Sequence, residues 1–302
     1  MSEKVGFVGL GNMGLPMSLR LLEAGHGVVG CDVQESARKT FCERGGIWAD
    51  SPREVASQCA IVMASLPTPA VVELVALGKD GVTAGTKVEV FIDLSTTGPE
   101  MAKRVSEALK QRGIVAMDAP VSGGIAGAAK GTLSVMTAGP KESYERVKDL
   151  LACFGKNVFY VGEQAGAGQL MKLINNLLSA TTLAASCEAL CVGMKGGLDP
   201  QTMLTVLNAS TGRSGATEDK IPRYVLPGVP INFGLDLSFK DVSLCVEAGE
   251  ALQVPMYCGR TIRQIWHHAM SKGGPDQDMM DVSRCIEDWA GVKLTGSKPA
   301  SK

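Results

Sequence analysis

Apolar residues follow two patterns along this chain, and the change of pattern divides it. In the first half, short apolar runs stand between helically spaced segments. "KVGFVG" ends at a glycine, "MGLPMSLRLLEAG" follows with helical spacing, and "GVVGCDV" is apolar again. "CAIVMASLP", "KVEVFIDLS", "IVAMDAPVS", "GTLSVMTAG" and "NVFYVG" repeat the strand-like pattern, with helical "PEMAKRVSEALKQRG" and "KESYERVKDLLACFG" among them. Strands alternating with helices predict a parallel sheet with helices on both faces. Beyond about residue 165 the strand-like runs stop, and helices are predicted over 167–195, 199–210, 236–252, 257–271 and 276–290. The expected organisation is an α/β domain over 1–164 and an all-helical domain over 165–292. A long interdomain helix joins them, after the Gly-bearing "GEQAGAG", and 293–302 reads as a frayed tail.

Composition narrows the classes of function. The chain has 302 residues, 45% hydrophobic and 20% charged, which suits a well-cored globular protein. Thirty Lys and Arg against 31 Asp and Glu leave a net charge of -1 and no basic block. Nucleic acid and anionic membrane surfaces are therefore not expected partners. Nine cysteines without a C-x-x-C pair point to reduced thiols, a cytoplasmic location and no zinc site. The start "MSEKVGFVG" carries no export pattern, and the uncharged run Leu173–Cys187 reads as too short and too polar to span a bilayer.

The first motif with chemical content is "GLGNMG", Gly9 to Gly14, with Leu10, Asn12 and Met13 between the glycines. It follows a strand, opens a helix and lies inside a βαβ unit, and Asp32 ends the next strand 18 residues after Gly14. That context predicts a dinucleotide site. Gly9 allows the tight turn, Gly11 lets the backbone approach a pyrophosphate, and Gly14 lets helix and strand pack closely. The helix N-terminus favours the anion. Asp32 should accept bonds from the adenosine ribose and repel a 2′-phosphate, which favours NAD over NADP. Arg38 and Lys39, a few residues on, temper that preference.

The long helix holds the second signal. In "GQLMKLINNLLSATTLAASCEAL", Gly168, Lys172 and Asn176 are spaced by four, with Ser179 continuing the line. Leu170, Leu173, Ile174, Leu177 and Leu178 flank them, so a narrow polar line runs along an otherwise apolar helix. Lys172 either reaches the surface or pairs with a distant carboxylate, or it serves a reaction. The helix follows the α/β domain, so it can lie near the C-terminal ends of the strands, where ligands bind in such sheets. The three histidines are poorly placed: His26 opens the second strand, and His267 and His268 lie on a late helix beside Trp266. Lys172 is thus the candidate base for taking a hydroxyl proton, and burial would ease its neutral form. Asn176, one turn on, can hold a substrate oxygen.

Two strand ends complete the set. In "DAPVSGGIAGAAKG", Ser122, Gly123 and Gly124 could offer backbone N–H groups and a hydroxyl to a carboxylate, or form a plain turn. In "IDLSTTGPE", Ser95 and Thr96 either face the nicotinamide or cap the next helix, for which Thr97 is also suited.

These motifs together resemble the β-hydroxyacid dehydrogenase family, which includes 3-hydroxyisobutyrate dehydrogenases, over about 290 residues. "GFVGLGNMG", "DAPVSGG", "GQLMKLINN" and "FKD" at 239–241 match its four signatures in order. The resemblance implies a Rossmann domain joined by a long helix to an all-α domain that drives dimer or tetramer formation. It implies Lys172 as catalytic acid/base, Asn176 as its substrate-orienting neighbour, and Ser122, Gly123 and Gly124 around a small carboxylate substrate. Thr96, Lys240, Leu66 and Pro67 would approach the cofactor. Val71 stands where many members carry Asn. The chain lacks the extra basic residues and longer C-terminal domain of the 6-phosphogluconate branch. Lys172 argues against the imine-reductase branch, and the Ser-Gly-Gly cradle against the sulfolactaldehyde reductases.

Three readings follow. The first is an NAD-dependent dehydrogenase of a small β-hydroxy acid. The second is an NADPH-dependent reductase of a small aldehyde acid such as tartronate or succinate semialdehyde, against which Asp32 weighs. The third is a silent dinucleotide-binding module, against which Lys172 weighs. The substrate itself would be chosen by side chains near 210–220.

Overall fold

The computed structural model describes residues 4–274 and 276–296. Its contacts divide into two compact units, Met1–Lys172 and Leu173–Lys302. The division falls inside the long helix α8 (Ala167–Lys195), not at the glycine-bearing turn before it.

Among the described residues the first unit is built on nine strands: β1 (Val5–Val8), β2 (Val28–Cys31), β3 (Ile47–Trp48), β4 (Ile61–Ala64), β5 (Val90–Asp93), β6 (Val115–Asp118), β7 (Val121–Ser122), β8 (Leu133–Ala138) and β9 (Gly155–Gly162). The helices between them are α1 (Gly14–Glu23), α2 (Glu35–Glu43), α3 (Pro52–Gln58), α4 (Pro69–Leu77), α5 (Pro99–Lys110), α6 (Gly124–Lys130) and α7 (Lys141–Ala152). Strands β3-β2-β1-β4-β5-β6 run parallel in that order, the arrangement of a Rossmann sheet. Beyond them β8 runs antiparallel to β6 and β7 and parallel to β9. The expected parallel sheet thus gains an antiparallel step at β8. The two-residue strands β3 and β7 are too short to leave an apolar run in the sequence.

The central strands are apolar throughout because both faces are covered. Phe7, Val28, Ile61 and Ile92 pack with Met17 and Leu21 of α1 and with Val147 and Leu151 of α7. Their neighbours Val8, Val29, Val62 and Phe91 pack with Val55 of α3 and with Val105 and Leu109 of α5. Strand order reverses between β1 and β4, so the chain leaving β1 at Gly9 and the chain leaving β4 at Ser65 part there. That is where a sheet of this kind leaves room for a ligand.

The second unit is helical: α9 (Pro200–Asn208), α10 (Leu235–Ala251), α11 (Tyr257–Lys272) and α12 (Val282–Ala290) follow α8. Fully buried Trp266 sits among Leu183, Leu190, Ile221 and Val282 in its core. The last predicted helix, over 276–290, is shorter than expected. A 3-10 turn at Met279–Asp281 leads into α12, and Pro275 lies outside the described residues. An unpredicted π-helical stretch spans Ala216–Val225. Pro222 inside it has no N–H and would clash with the carbonyl four residues back, and Leu226 N–H bonds five back to Ile221 O. The tail does not fray from 293. Leu294 is fully buried, its N–H donates to Glu287 Oε1 (3.0 Å), and Gly296 N–H reaches Leu226 O (2.8 Å). Residues 297–302 of that expected tail lie outside the described residues.

Helix α8 revises one expectation. Its 29 residues include a window of mean hydropathy 1.5, long and apolar enough to cross a membrane by length and composition, with one third of that window buried. The uncharged run Leu173–Cys187, read from the sequence as too short and too polar to span a bilayer, is part of a helix that passes by length and composition, over the 167–195 span expected for it.

Candidate active site

The glycine turn is held by contacts that only glycine tolerates. Gly9 has φ 89°, and a Cβ there would lie 2.3 Å from Ser65 O. A Cβ on Gly14 would lie 1.8 Å from Gly9 O, so α1 starts pressed onto the turn. Gly11 differs: it is exposed, and a Cβ would meet nothing within 4 Å. The turn is closed against the sheet at Gly9 and Gly14 and open at Gly11, as a backbone cradle for a pyrophosphate requires. Leu10 is buried beneath it, Met13 is half-buried and Asn12 is exposed. Asp32 stands beside the turn: its Oδ2 accepts from Leu10 N–H (2.5 Å) and its Oδ1 from Gln34 N–H (2.8 Å). Each oxygen keeps lone-pair capacity for a ribose hydroxyl. The residues present fit a bound dinucleotide.

Leu66 and Pro67 follow β4. Leu66 donates its N–H to Ser95 Oγ (2.9 Å), and its Cδ2 is 2.9 Å from the place a Gly9 Cβ would take. Pro67 is exposed and Thr96 half-buried. The ends of β1, β4 and β5 therefore meet through Gly9, Leu66 and Ser95. The alternative that Thr97 caps α5 is not realised. Its hydroxyl donates to Asp93 Oδ2 (3.1 Å), and Gly98, at φ 83°, occupies the cap position. Elsewhere in the unit, Ser122 ends β7 opposite Ser134, and Gly123 (φ 133°) and Gly124 (φ 66°) lead into α6. Gly123 and Gly124 are exposed, and space beside Gly124 is open.

Helix α8 is anchored at its start by groups the sequence reading missed. Asp118, at the end of β6, accepts Gly166 N–H on Oδ1 (2.8 Å) and Gln169 N–H on Oδ2 (2.9 Å). Burial pushes its carboxyl up to about 6, against the pull of those backbone donors, with Asp93 adding to the rise. Gln169 is fully buried. Its Oε1 accepts from Thr97 N–H (2.9 Å), and its Nε2 donates to Ser95 O (2.9 Å). Gly168 is required for packing, since a Cβ would come within 2.3 Å of Met136 O. One turn later stands Lys172, 8% exposed and the last residue of the first unit.

In the second unit Asn176 donates from Nδ2 to Asp241 Oδ2 (2.7 Å), and its Oδ1 accepts from Asn175 (3.1 Å). Lys240 places its ammonium 3.2 Å from Asp241 Oδ1. Buried Asp241 thus links two of the expected site residues. Its signal in the sequence was its position directly after Lys240. His267 packs on Phe239 and His268 on Trp289, at ring separations of 5.7 and 5.1 Å.

A family profile for the NAD binding domain of 6-phosphogluconate dehydrogenase matches residues 4–162. A second, for NAD-binding of NADP-dependent 3-hydroxyisobutyrate dehydrogenase, matches residues 166–286. The 2-(hydroxymethyl)glutarate dehydrogenase of Eubacterium barkeri is 35% identical over 299 residues, 98% of this chain and 99% of that one. The chain belongs to the β-hydroxyacid dehydrogenase family. A 3-hydroxyisobutyrate dehydrogenase of Pseudomonas aeruginosa is 37% identical to this family member over 270 residues, 87% of this chain and 90% of that one. The solved structure of the Mycobacterium tuberculosis 3-hydroxyisobutyrate dehydrogenase with L-serine superposes with a TM-score of 0.85 at 31% identity, covering 95% and 99% of the two chains. As a β-hydroxyacid dehydrogenase, the chain is a dinucleotide-dependent oxidoreductase acting on CH–OH groups, and its first unit is an NAD(P)-binding domain.

Proposed function

We propose that this enzyme interconverts a small β-hydroxy acid and its oxo or semialdehyde acid with NAD, and that Lys172 moves the proton. The observation that carries the reading is Lys172 itself, almost wholly buried one helical turn before Asn176, whose amide Asp241 holds. Bound NAD supplies the hydride acceptor. In oxidation the neutral Lys172 amine takes the hydroxyl proton, and in reduction the ammonium returns it. Asn176 uses one Nδ2 hydrogen for Asp241 and keeps the other for the substrate oxygen. The N–H groups and hydroxyl of Ser122–Gly124 hold the substrate carboxylate. Asp32 takes the ribose hydroxyls and favours NAD over NADP. Thr96, Lys240, Leu66 and Pro67 line the cofactor. Hydroxyisobutyrate and hydroxymethylglutarate, named for the two relatives above, are both β-hydroxy acids, which supports the substrate class. We also infer a homodimer or homotetramer, because large apolar side chains stand exposed along α8.

The test is a pair of variants assayed for turnover, NAD binding and melting temperature. Lys172→Ala lowers kcat by about 10²–10⁴-fold, the usual range for a lost acid/base group, and leaves NAD binding in place. Lys172→Arg does not restore the rate, because guanidinium keeps its proton. A folded Lys172→Arg enzyme that oxidises near the wild-type rate overturns the assignment.

A further inference from the structure

A carboxamide side chain carries a donor and an acceptor side by side, so it can brace a backbone segment as a neighbouring strand does. Gln169, in the first turn of α8, is used in this way. Its Nε2 donates to Ser95 O (2.9 Å), and its Oε1 accepts from Thr97 N–H (2.9 Å) and Gly98 N–H (3.3 Å). Ser95 O belongs to the peptide group before Thr96, and Thr97 N–H to the peptide group after it. The two soft dihedrals of Thr96 lie between those groups, so one amide fixes both. Gln169 is fully buried, and Leu94, Ser95, Thr97 and Gly98 are buried too, whereas Thr96 is half-buried. The brace therefore holds the one residue of the segment that reaches the surface.

Without the amide, the Ser95 carbonyl and the Thr97 N–H would be left buried and unpaired. That is unfavourable, and the loop would move until other groups met them. The loop stands in line with the parts of a dinucleotide site. The strands lie in the order β2-β1-β4-β5, and Asp32, the glycine turn, Leu66 and Ser95–Thr97 follow them in the same order. A dinucleotide with its adenosine ribose at Asp32 and its pyrophosphate at the glycine turn carries its other half toward the ends of β4 and β5. Those two ends are tied by the bond from Leu66 N–H to Ser95 Oγ (2.9 Å), and Asp93 Oδ1 accepts Ser95 N–H (2.9 Å). All of these residues belong to the first unit.

We propose that Gln169 is a positioning residue for the coenzyme: by fixing the peptide groups on both sides of Thr96, it sets the side chain that Thr96 offers to the nicotinamide half. The proposal rests on the reading of Thr96 as a residue that lines the cofactor. Gln169 itself, being fully buried, touches neither coenzyme nor substrate. Its task differs from that of Asp118, which holds the backbone at the start of α8 and not the loop after β5.

The experiment separates the two halves of the coenzyme. The wild-type full chain is compared with Gln169→Met, Gln169→Asn, Thr96→Ala and the double variant of Gln169→Met with Thr96→Ala. Each is titrated by calorimetry with NADH and with ADP-ribose, which lacks the nicotinamide. Methionine keeps the length of glutamine and makes neither bond. Asparagine keeps the amide but is one methylene short of spanning both peptide groups. Both Gln169 variants are expected to bind NADH about 3–10-fold more weakly, the worth of one hydrogen bond lost through a displaced Thr96. Their affinity for ADP-ribose is expected to stay at the wild-type value. Thr96→Ala should behave in the same way. The double variant should bind NADH no more weakly than the weaker of its two parents, because Gln169 acts through Thr96. A role in folding alone would weaken both ligands equally. That result, or NADH losses that multiply in the double variant, overturns the proposal. If Thr96→Ala binds NADH as the wild type does, the reading of Thr96 fails and the proposal falls with it. If Thr96→Ala weakens NADH and the Gln169 variants do not, that reading stands and the proposal alone falls. Should Gln169→Met not fold, Gln169→Asn carries the same comparison.

Discussion

A methyl group on Gly14 would stand 1.8 Å from Gly9 O, whereas one on Gly11 would touch nothing within 4 Å. The two glycines of one motif therefore answer different demands, and alanine separates them. Gly14→Ala is expected to destabilise the fold by about 1–3 kcal/mol or more, as overpacked sites do, and to lower the melting temperature. Gly11→Ala is expected to melt near the wild type yet bind NADH more weakly, because its methyl occupies the face where the pyrophosphate approaches. Equal melting of the two variants contradicts this division. The proposed preference for NAD rests on Asp32. Asp32→Ala should weaken NAD and narrow its lead over NADP by 10-fold or more, since a lost hydrogen bond and a lost repulsion are each worth about 1–3 kcal/mol. Fluorescence titration with NADH and NADPH measures it, and a wild type that binds NADPH as tightly as NADH refutes the reading. The tight turn of the glycines was legible because backbone sterics act locally. Asp118 and Gln169 were not, because their partners lie 48 to 74 residues away in the chain.

Among the elements, α8 shows both what the sequence pattern carries and where it stops. Its span was readable from apolar spacing over 29 residues. Its attachment was not, since that is made by a carboxylate at the end of β6. Burial lifts Asp118 to about 6, above its ordinary value of 3.8, so the folded chain binds a proton there that the unfolded chain has released. Between those two values, stability falls as pH rises, and above about 6 the contribution levels off. The loss is on the order of 2–3 kcal/mol across the window. Asp118→Asn keeps one acceptor oxygen and removes the titration. Guanidinium unfolding between pH 4.5 and 7.5 should show the wild type losing stability where the variant does not, and parallel curves would rule out Asp118 as the source. The π-helical stretch left a weaker trace. Pro222 lies inside it and was not used in reading the sequence, and Ile221 and Val225 within it are buried in the core of the second unit.

For the molecule as a whole, Met171, Ile174, Leu178 and Val192 stand 39–72% exposed along the side of α8 away from Lys172. An apolar strip of that kind facing water is costly unless a partner covers it. A second copy of the chain is the expected cover. Light scattering after size exclusion should report a dimer or tetramer, and Leu178→Glu should shift it toward monomer while the melting profile stays cooperative. A monomeric wild type at micromolar concentration would exclude this. The two-domain plan was readable because hydrophobic periodicity changes once, near residue 165. The family was readable because four motifs keep their order. The pairing of Asn176 and Lys240 through Asp241 was not readable, since no local pattern says which way a buried carboxylate faces.

The double duty of Asp32 matters to anyone who wishes to redesign the coenzyme choice of this enzyme. Its carboxylate accepts the Leu10 N–H inside the glycine turn as well as the Gln34 N–H after it. An exchange that merely deletes the charge takes away the brace of the loop that must receive either coenzyme. Asparagine or serine at 32 would relieve the repulsion and still offer an oxygen to Leu10, so a redesign should start from these residues and add a cation nearby only afterwards. At alanine or glycine a slack loop would weaken both coenzymes together, so only the ratio of the two affinities reports a changed preference there.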